Sequence, residues 1–511
     1  MAPKVQKKKP TKATRASSSP PPTRPSKRNG QTKSSPHPKT SLLPSIFVAV
    51  IAFLGGVLTP PSLHAFRHQD VNTSVLDTSP PEIETPLPFP LPPHHIPCTP
   101  SNLDNYLHAT PVPGLHVVCV EAMYLDADGK EQLFSHANSI NEQQRRLDQI
   151  NSLQLTFYKG SHAAPLLRRV KVSGNTDNNG SGGVESISWD ELSMQMIVEL
   201  GLLPEGPTQQ PWAVFTPLGV KMVVENFAPV KGDGVGSNKH IMSCIVASGM
   251  IVITQGGNWM WPGVREGFQR TIELAPSRNA AATSDSHNIT IETLSLKPLV
   301  LSIEGFLTDK ECDYVMDKAG PSMKYSSVTL KDADVGRAAS DWRTSQSTFL
   351  SAKDDPILKE IEDRTASLTG VPRNHQEYVQ VLRYGHTEKY DSHHDYFDPK
   401  DYKSDQNTLS LIEDGKKNRY ATVFWYLTDV GDGGHTIFPR AGGLPPVRDH
   451  SDCSRGLKVK PQKGKVIIFY SLDASGALDP LSVHGACPVG EGNVKWAANK
   501  WIWNAKMGYV K

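Results

Sequence analysis

Apolar residues are distributed unevenly along this chain. From Leu42 to Leu58 they run almost without interruption, with Ile46-Phe-Val-Ala-Val-Ile-Ala-Phe-Leu54 at the centre. Elsewhere they come in short runs rich in β-branched and aromatic residues, the pattern of strands. His116-Val-Val-Cys-Val120, Leu153-Gln-Leu-Thr-Phe157, Ala213-Val-Phe-Thr216 and Met250-Ile-Val-Ile-Thr254 form one such set. Within it, Ser188-Trp-Asp-Glu-Leu192 opens a stretch to Leu200 with a helix-start signal and helical apolar spacing. A second set holds Tyr378–Leu382, Tyr420–Leu427, Lys465–Tyr470 and Lys500–Trp503, with the glycine-rich turn Gly431–Pro439 between. Many short strands parted by Gly and Pro turns predict a sandwich or barrel. Asp126-Ala-Asp128-Gly129 lacks the remaining ligands of a calcium loop, so a hairpin turn is predicted there. Trp259-Met-Trp261-Pro262 reads as buried aromatics rather than a binding platform.

Length and charge divide the chain further. Its 511 residues allow about two or three domains. The net charge of +2 hides an uneven distribution: residues 1–40 hold many Lys and Arg, no acidic residue, and abundant Pro and Ser. Such a segment cannot bury a core and is expected to be disordered. Followed by Leu42–Leu58, it reads as the basic flank of a membrane signal-anchor rather than a nucleic-acid tail, and nucleic acid is not an expected partner. Seventeen residues is short for a span, and Leu63-His-Ala65 leaves a cleaved signal as the alternative. The positive-inside rule then keeps the N-terminus cytosolic and puts the rest in the lumen of the endoplasmic reticulum or Golgi, a single-pass type II arrangement. The expected organisation is a basic tail (1–41), an anchor (42–58), a proline-rich stalk (59–97), an unassigned α+β domain (98–275), a linker (276–295) and a final domain (296–511). Sequons at Asn72, Asn179 and Asn288 permit glycosylation there.

The candidate chemistry lies in the last domain. His393 and Asp395 form an H-x-D pair, and on a strand residues i and i+2 share a face. With His484 as a third ligand, two imidazoles and one carboxylate make the ligand set of non-haem Fe(II) oxygenases, with positions left open for chemistry. A lone H-x-D pair is more often a solvated strand end; agreement among its surroundings carries the reading. Lys495, between Val494 and Trp496, is a cation in an apolar strand and would need an anionic partner if buried. A 2-oxo acid could chelate the metal and present its far carboxylate to that lysine. His394 points away from His393 on a regular strand, and Asp398, Asp401 and Asp405 read as a solvated loop.

Residues from about Leu296 to Lys506 resemble the catalytic domain of a prolyl 4-hydroxylase and, more broadly, the 2-oxoglutarate/Fe(II) dioxygenase superfamily. The resemblance rests on Leu301–Cys312, Arg343-Thr-Ser345, Tyr390-x-x-His-x-Asp395, Ala421-Thr-Val423, Asp429–Gly434, His484–Val489 and Lys495-Trp496, in family order. It implies a double-stranded β-helix (jelly-roll) with flanking helices. It implies Fe(II) ligation by His393, Asp395 and His484, and a pairing of Lys495 with the C5 carboxylate of 2-oxoglutarate. Tyr384 and Thr436 take the places of hydroxyls that bond the same carboxylate. Arg343 and Trp501 match residues of the peptide site. Its cofactors and cosubstrates are Fe(II), 2-oxoglutarate, O2 and ascorbate, and its substrate is a proline-containing polypeptide. A dioxygenase acting on another residue or a small molecule, and a non-catalytic binding protein on the same fold, are the alternatives.

Two positions depart from the family pattern. His435 replaces the usual acidic residue before Thr436, a change expected to affect loop or substrate contacts rather than iron. Val494 is one extra residue before the lysine, and one residue reverses side-chain direction on a strand. Either a bulge absorbs it, or Lys495 faces away and Lys500 becomes the anchor. None of the six cysteines forms a C-x-x-C. Cys453 and Cys487 flank strand-like segments that could bring them within disulfide range, the alternative being two free thiols.

Overall fold

The computed structural model describes residues 287–507 throughout, 249–274, and shorter stretches between 112 and 222. The chain divides into two units, Met1–Pro81 and Glu82–Lys511, and every described residue belongs to the second. The expected anchor, stalk and first two sequons lie outside the described residues. Among the described residues no helix is long and apolar enough to cross a membrane.

The strands, in chain order, begin with β1 (Leu115–Leu125), β2 (Glu131–Leu133), β3 (Leu153–Lys159), β4 (Leu166–Val170), β5 (Ala213–Phe215) and β6 (Met250–Thr254). These form an antiparallel sheet, β4-β3-β1-β6-β5, with β2 pairing β1. β1 and β2 pair antiparallel with Leu125 opposite Glu131, the pairing a hairpin makes. Helix α1 (Trp189–Glu199) falls on the predicted helical stretch.

Next come β7 (Gln269–Leu274), β8 (His287–Leu296), β9 (Leu299–Glu304), β10 (Lys324–Tyr325), β11 (Gln346–Leu350), β12 (Val379–Tyr384), β13 (Tyr390–His393) and β14 (Arg419–Tyr426). The last are β15 (Thr436–Phe438), β16 (Leu457–Val459), β17 (Val466–Tyr470), β18 (His484–Ala486) and β19 (Lys495–Trp503). They build a nine-stranded sheet, β10-β11-β12-β19-β14-β17-β9-β8-β7, and a four-stranded one, β13-β18-β15-β16. Period-two alternation gives each strand of the large sheet two different faces. Tyr384, Phe424, Tyr426 and Phe469 pack with Phe438, Val459 and Ala486 of the small sheet. Val381, Val423, Trp425 and Ile468 pack on the opposite side with Val315, Leu358 and Leu368 of two helices. Two facing antiparallel sheets with helices behind one of them agree with the expected jelly-roll.

Those helices are α2 (Asp309–Ala319) and α3 (Pro356–Thr369). A capping box starts α2, in which Thr308 Oγ1 accepts from the Glu311 amide and Glu311 Oε2 accepts from the Thr308 amide. Asp355 caps α3, Pro356 occupies its first turn, and left-handed Gly370 ends it.

The expected boundary between middle domain and dioxygenase is corrected here. Residues 287–295 were read as linker, yet β8 pairs along its length with β9, and β7 pairs with β8. Trp259 and Trp261 are buried in the same core as α3. Trp261 Nε1 donates to Leu368 O at 2.7 Å, Tyr470 Oη accepts from the Trp261 amide at 3.1 Å, and Tyr420 donates to Trp259 O at 2.8 Å. The alternation of Ile289, Ile291 and Thr293 is that of a half-buried strand, a local signal that polar composition alone hides.

A fragment beginning at Leu296 leaves this core open. It loses β7, β8 and both tryptophans, and burial of one large aromatic side chain is worth about 3–5 kcal/mol. The 296–511 fragment is expected to be insoluble or to melt without a cooperative transition, whereas the chain from residue 98 melts cooperatively. A fragment melting at the midpoint of the longer chain would show that the shared core is dispensable.

Candidate active site

Strands β13 and β18 pair with His393 directly opposite His484. Asp395, two residues beyond His393, turns its carboxylate between the rings. His393 Nε2 lies 3.7 Å from Asp395 Oδ1, and His484 Nε2 lies 3.5 Å from Oδ2. The three ligand atoms fall within 4.8 Å of one another, and among the described residues no other cluster of His, Cys, Asp or Glu is so arranged.

Backbone carbonyls fix both imidazoles. His393 Nδ1–H donates to Asp391 O at 2.9 Å and His484 Nδ1–H donates to Ser482 O at 3.0 Å. Each ring therefore donates from Nδ1 and turns Nε2 inward, the orientation a metal requires. Tyr390 stacks on His393 at 3.7 Å, and Phe469 packs against His484 at 4.4 Å. Thr422 donates to Asp395 Oδ2 at 2.6 Å and orients the carboxylate. Burial, followed by the neighbouring His484, pushes His393 down to about 3. Burial alone would raise Asp395, but His484, His393, Arg419 and Thr422 together pull it down to about 2. A neutral His393 imidazole beside an ionised Asp395 carboxylate is the protonation state in which metal ligands bind.

Beyond the triad, Lys495 opens β19 opposite Tyr384. Its side chain is wholly buried and Nζ has no hydrogen-bond partner. The rings of Tyr384, Phe424 and Tyr426 surround Nζ at 5.4, 5.5 and 5.6 Å. Burial pushes the lysine down to about 7. Thr436 Oγ1 accepts from Tyr426 Oη at 2.8 Å in the same box, and burial raises the Tyr384 phenol. A buried cation without an acceptor, ringed by hydroxyls and aromatic faces, is a receptor for a carboxylate.

Val494 does not divert this lysine. It sits exposed in the turn after left-handed Gly492, ahead of the strand. Thr428 Oγ1 donates to Val494 O and accepts from the Trp496 amide, so a side chain bridges the irregularity. From there β19 alternates regularly. Lys500 falls on the opposite face, where its ammonium bonds Glu362 Oε1 and Glu377 O, each at 2.5 Å. It is a structural cation of the helix-covered face, and the fallback anchor is set aside.

Trp501 shares the inward face with Lys495, directly across from Thr422. The Arg419 guanidinium lies 3.6 Å from its ring and is held by both oxygens of Glu377 at 2.6 and 3.1 Å. Arg343 is buried with its guanidinium 4.6 Å from the Tyr390 ring, donating to Ser345 Oγ at 2.9 Å. His393, Asp395, His484, Tyr384, Thr436, Lys495 and Trp501 therefore lie on one side of the large sheet, while Lys500 lies on the other. His394 stays outside the triad and bonds Pro480 O. His435 is half-buried near Lys458 and Lys495, and burial followed by these cations lowers its pKa. Cys453 and Cys487 are disulfide-bonded with Cα atoms 6.0 Å apart, as expected, and Cys312 is free and buried. Sequence reasoning missed Thr422, Phe424, Tyr426 and Arg419. The first three stand at i, i+2 and i+4 of a run already read as a strand, so alternation alone would have put them on one face.

Nε2 atoms freed by their ring partners, an ionised carboxylate between them and an unmatched lysine beyond fit Fe(II) with a dicarboxylic 2-oxo acid. Comparison with known proteins agrees. The model of the 2OG-Fe(II) oxygenase superfamily matches residues 379–503. Probable prolyl 4-hydroxylase 4 of Arabidopsis thaliana is 42% identical over 220 residues, covering 42% of this chain and 70% of that protein. Prolyl 4-hydroxylase 2 of the same plant is 42% identical over 220 residues, covering 42% and 69%. A viral collagen prolyl hydroxylase of Paramecium Bursaria Chlorella virus-1, of known structure, is 25% identical over 40% of this chain and 96% of its own, with a TM-score of 0.29. The chain belongs to the prolyl 4-hydroxylase family of 2-oxoglutarate- and Fe(II)-dependent dioxygenases.

Proposed function

We propose that this enzyme hydroxylates C4 of prolyl residues in polypeptides, consuming O2 and 2-oxoglutarate and releasing succinate and CO2. We further propose that it does so in the lumen of the endoplasmic reticulum or Golgi, held by a type II anchor at residues 42–58. The observation that carries the chemistry is the His393–Asp395–His484 cluster on the small sheet together with a buried, unmatched Lys495 on the facing large sheet. The names of the plant relatives support proline as the target residue. The uninterrupted apolar run after a basic leader supports the anchor.

Bound Fe(II) supplies activation of O2 toward an unreactive C–H bond. The chain's own residues do the rest. Nδ1–H bonds to Asp391 O and Ser482 O keep Nε2 of both histidines toward the metal. Thr422 holds Asp395 Oδ2 and so orients the carboxylate that would bind the metal. Lys495 and the hydroxyls of Tyr384 and Thr436 take the C5 carboxylate, while Phe424 and Tyr426 exclude water from that ion pair. Arg343, Tyr390 and Trp501 offer an aromatic and cationic rim for a peptide.

Loss of one metal ligand is expected to abolish succinate formation while leaving the fold intact. His484→Ala should show no turnover above background with a wild-type melting curve; a variant with full activity removes the triad from the mechanism.

The second expectation concerns pH. A dianion favours the protonated lysine, and Lys495 is pushed down to about 7 before ligand binds. Below pH 7 the ammonium is already present and affinity is flat. Above pH 7 binding must take up a proton, and affinity should fall by up to ~10-fold per pH unit. Calorimetric titration with 2-oxoglutarate in buffers of different ionisation enthalpy reads this directly. Proton uptake near one at pH 8 and near zero at pH 6 is expected; no uptake at pH 8 excludes Lys495 as the anchor.

The third is topology. In intact microsomes, protease should remove an N-terminal tag and spare the catalytic domain. Digestion of the catalytic domain, or a soluble chain starting after Ala65, overturns the anchor.

A further inference from the structure

The pairing between β13 and β18 is irregular. It passes from Tyr390 opposite Ala486 to His393 opposite His484, so Asp391 and Ser392 together face the single residue Gly485. This is a bulge, and it sits immediately before an iron ligand. Gly485 makes room for it, because a Cβ there would lie 2.9 Å from Tyr390 O and 3.1 Å from Ser392 N.

A bulge leaves backbone polar groups without strand partners, and each must be satisfied elsewhere. The Asp391 amide donates to Trp342 O at 2.8 Å, and Asp391 O accepts the Nδ1–H of His393. Both groups of Ser392 go to one residue. Its amide donates to His450 O at 2.8 Å, and its carbonyl accepts from His450 Nδ1–H at 2.7 Å. Three residues beyond His450, Cys453 is bonded to Cys487, itself three residues beyond His484. The segment His450–Cys453 thus spans both ligand-bearing strands, by hydrogen bonds on one and a covalent bond on the other.

We propose that His450 is a positioning residue for iron: by closing both polar groups of Ser392 it fixes the bulge, and the bulge fixes the direction of His393. A slip of one residue in β13 would turn His393 out of the triad. The inference rests on the Fe(II) reading of the triad.

Anaerobic Fe(II) titration of the full chain against a competing chelator tests it. His450→Ala should weaken Fe(II) binding by about 10–100-fold, the usual range when a group supporting a metal ligand is lost. The 2-oxoglutarate KM at saturating iron should stay unchanged. Asn places an amide donor near the position of Nδ1, so His450→Asn should restore most of the affinity; Gln carries its donor one bond too far, so His450→Gln should not. Wild-type affinity in His450→Ala, or equal affinities in the Asn and Gln variants, overturns the proposal, and the latter comparison stands even if the alanine variant fails to fold. Failure of the wild-type chain to bind Fe(II) would instead sink the functional reading beneath it.

Discussion

The register that sets His393 opposite His484 is the constraint on which the rest of this site depends. It brings together two residues 91 positions apart in the sequence (484 − 393) and leaves Asp395 to close the triangle. Everything nearby serves that register. Gly485 permits the close approach, and backbone carbonyls orient both rings. Phe469 and Tyr390 pack the rings from behind. Because the ligands sit on a small sheet facing a large one, the triad borders an apolar layer between the two in which Lys495 is wholly buried. That burial makes an unmatched ammonium at Lys495 costly, and the same cost favours a carboxylate arriving there.

Much of this was legible in the sequence. The H-x-D spacing, a distant histidine and a lysine in an apolar strand are side-chain chemistry, which one sequence displays directly. The strands followed from β-branched runs between glycine turns; those flanking Cys453 and Cys487 allowed the bond that the structure shows without deciding it. The ambiguity at Val494 was of another kind. Side-chain direction after an inserted residue depends on where the ladder resumes, and here Thr428 decides it by substituting its hydroxyl for a ladder bond. Lys495 and Lys500 differ by five positions, an odd step, so alternation sends them to opposite faces. Once one faces inward, the other must find Glu362.

The boundary of the catalytic unit was the least legible feature. Composition separates loops from strands but does not say which sheet a strand joins. β7 and β8 extend the large sheet by edge pairing, a non-local choice fixed by the register of Ile289 and Ile291 against β9 and by two tryptophans that fill the space beside α3. Likewise, the roles of Thr422 and Arg419 arise from neighbours 27 and 42 positions away, Asp395 and Glu377. No local pattern encodes such partners.

The order of the large sheet carries a kinetic consequence. β19, the strand made after all the others described, lies between β12 and β14, bonded to both. While the chain emerges from the ribosome, those two strands have no shared neighbour, and each presents an unpaired edge of the kind that recruits other chains. The sheet therefore closes by insertion at its middle rather than by growth at its rim. The last strand to arrive also brings Lys495, so anion receptor and central ladder are completed in one event. Nascent chains that stall before it carry every other strand of the sheet yet remain split through its centre.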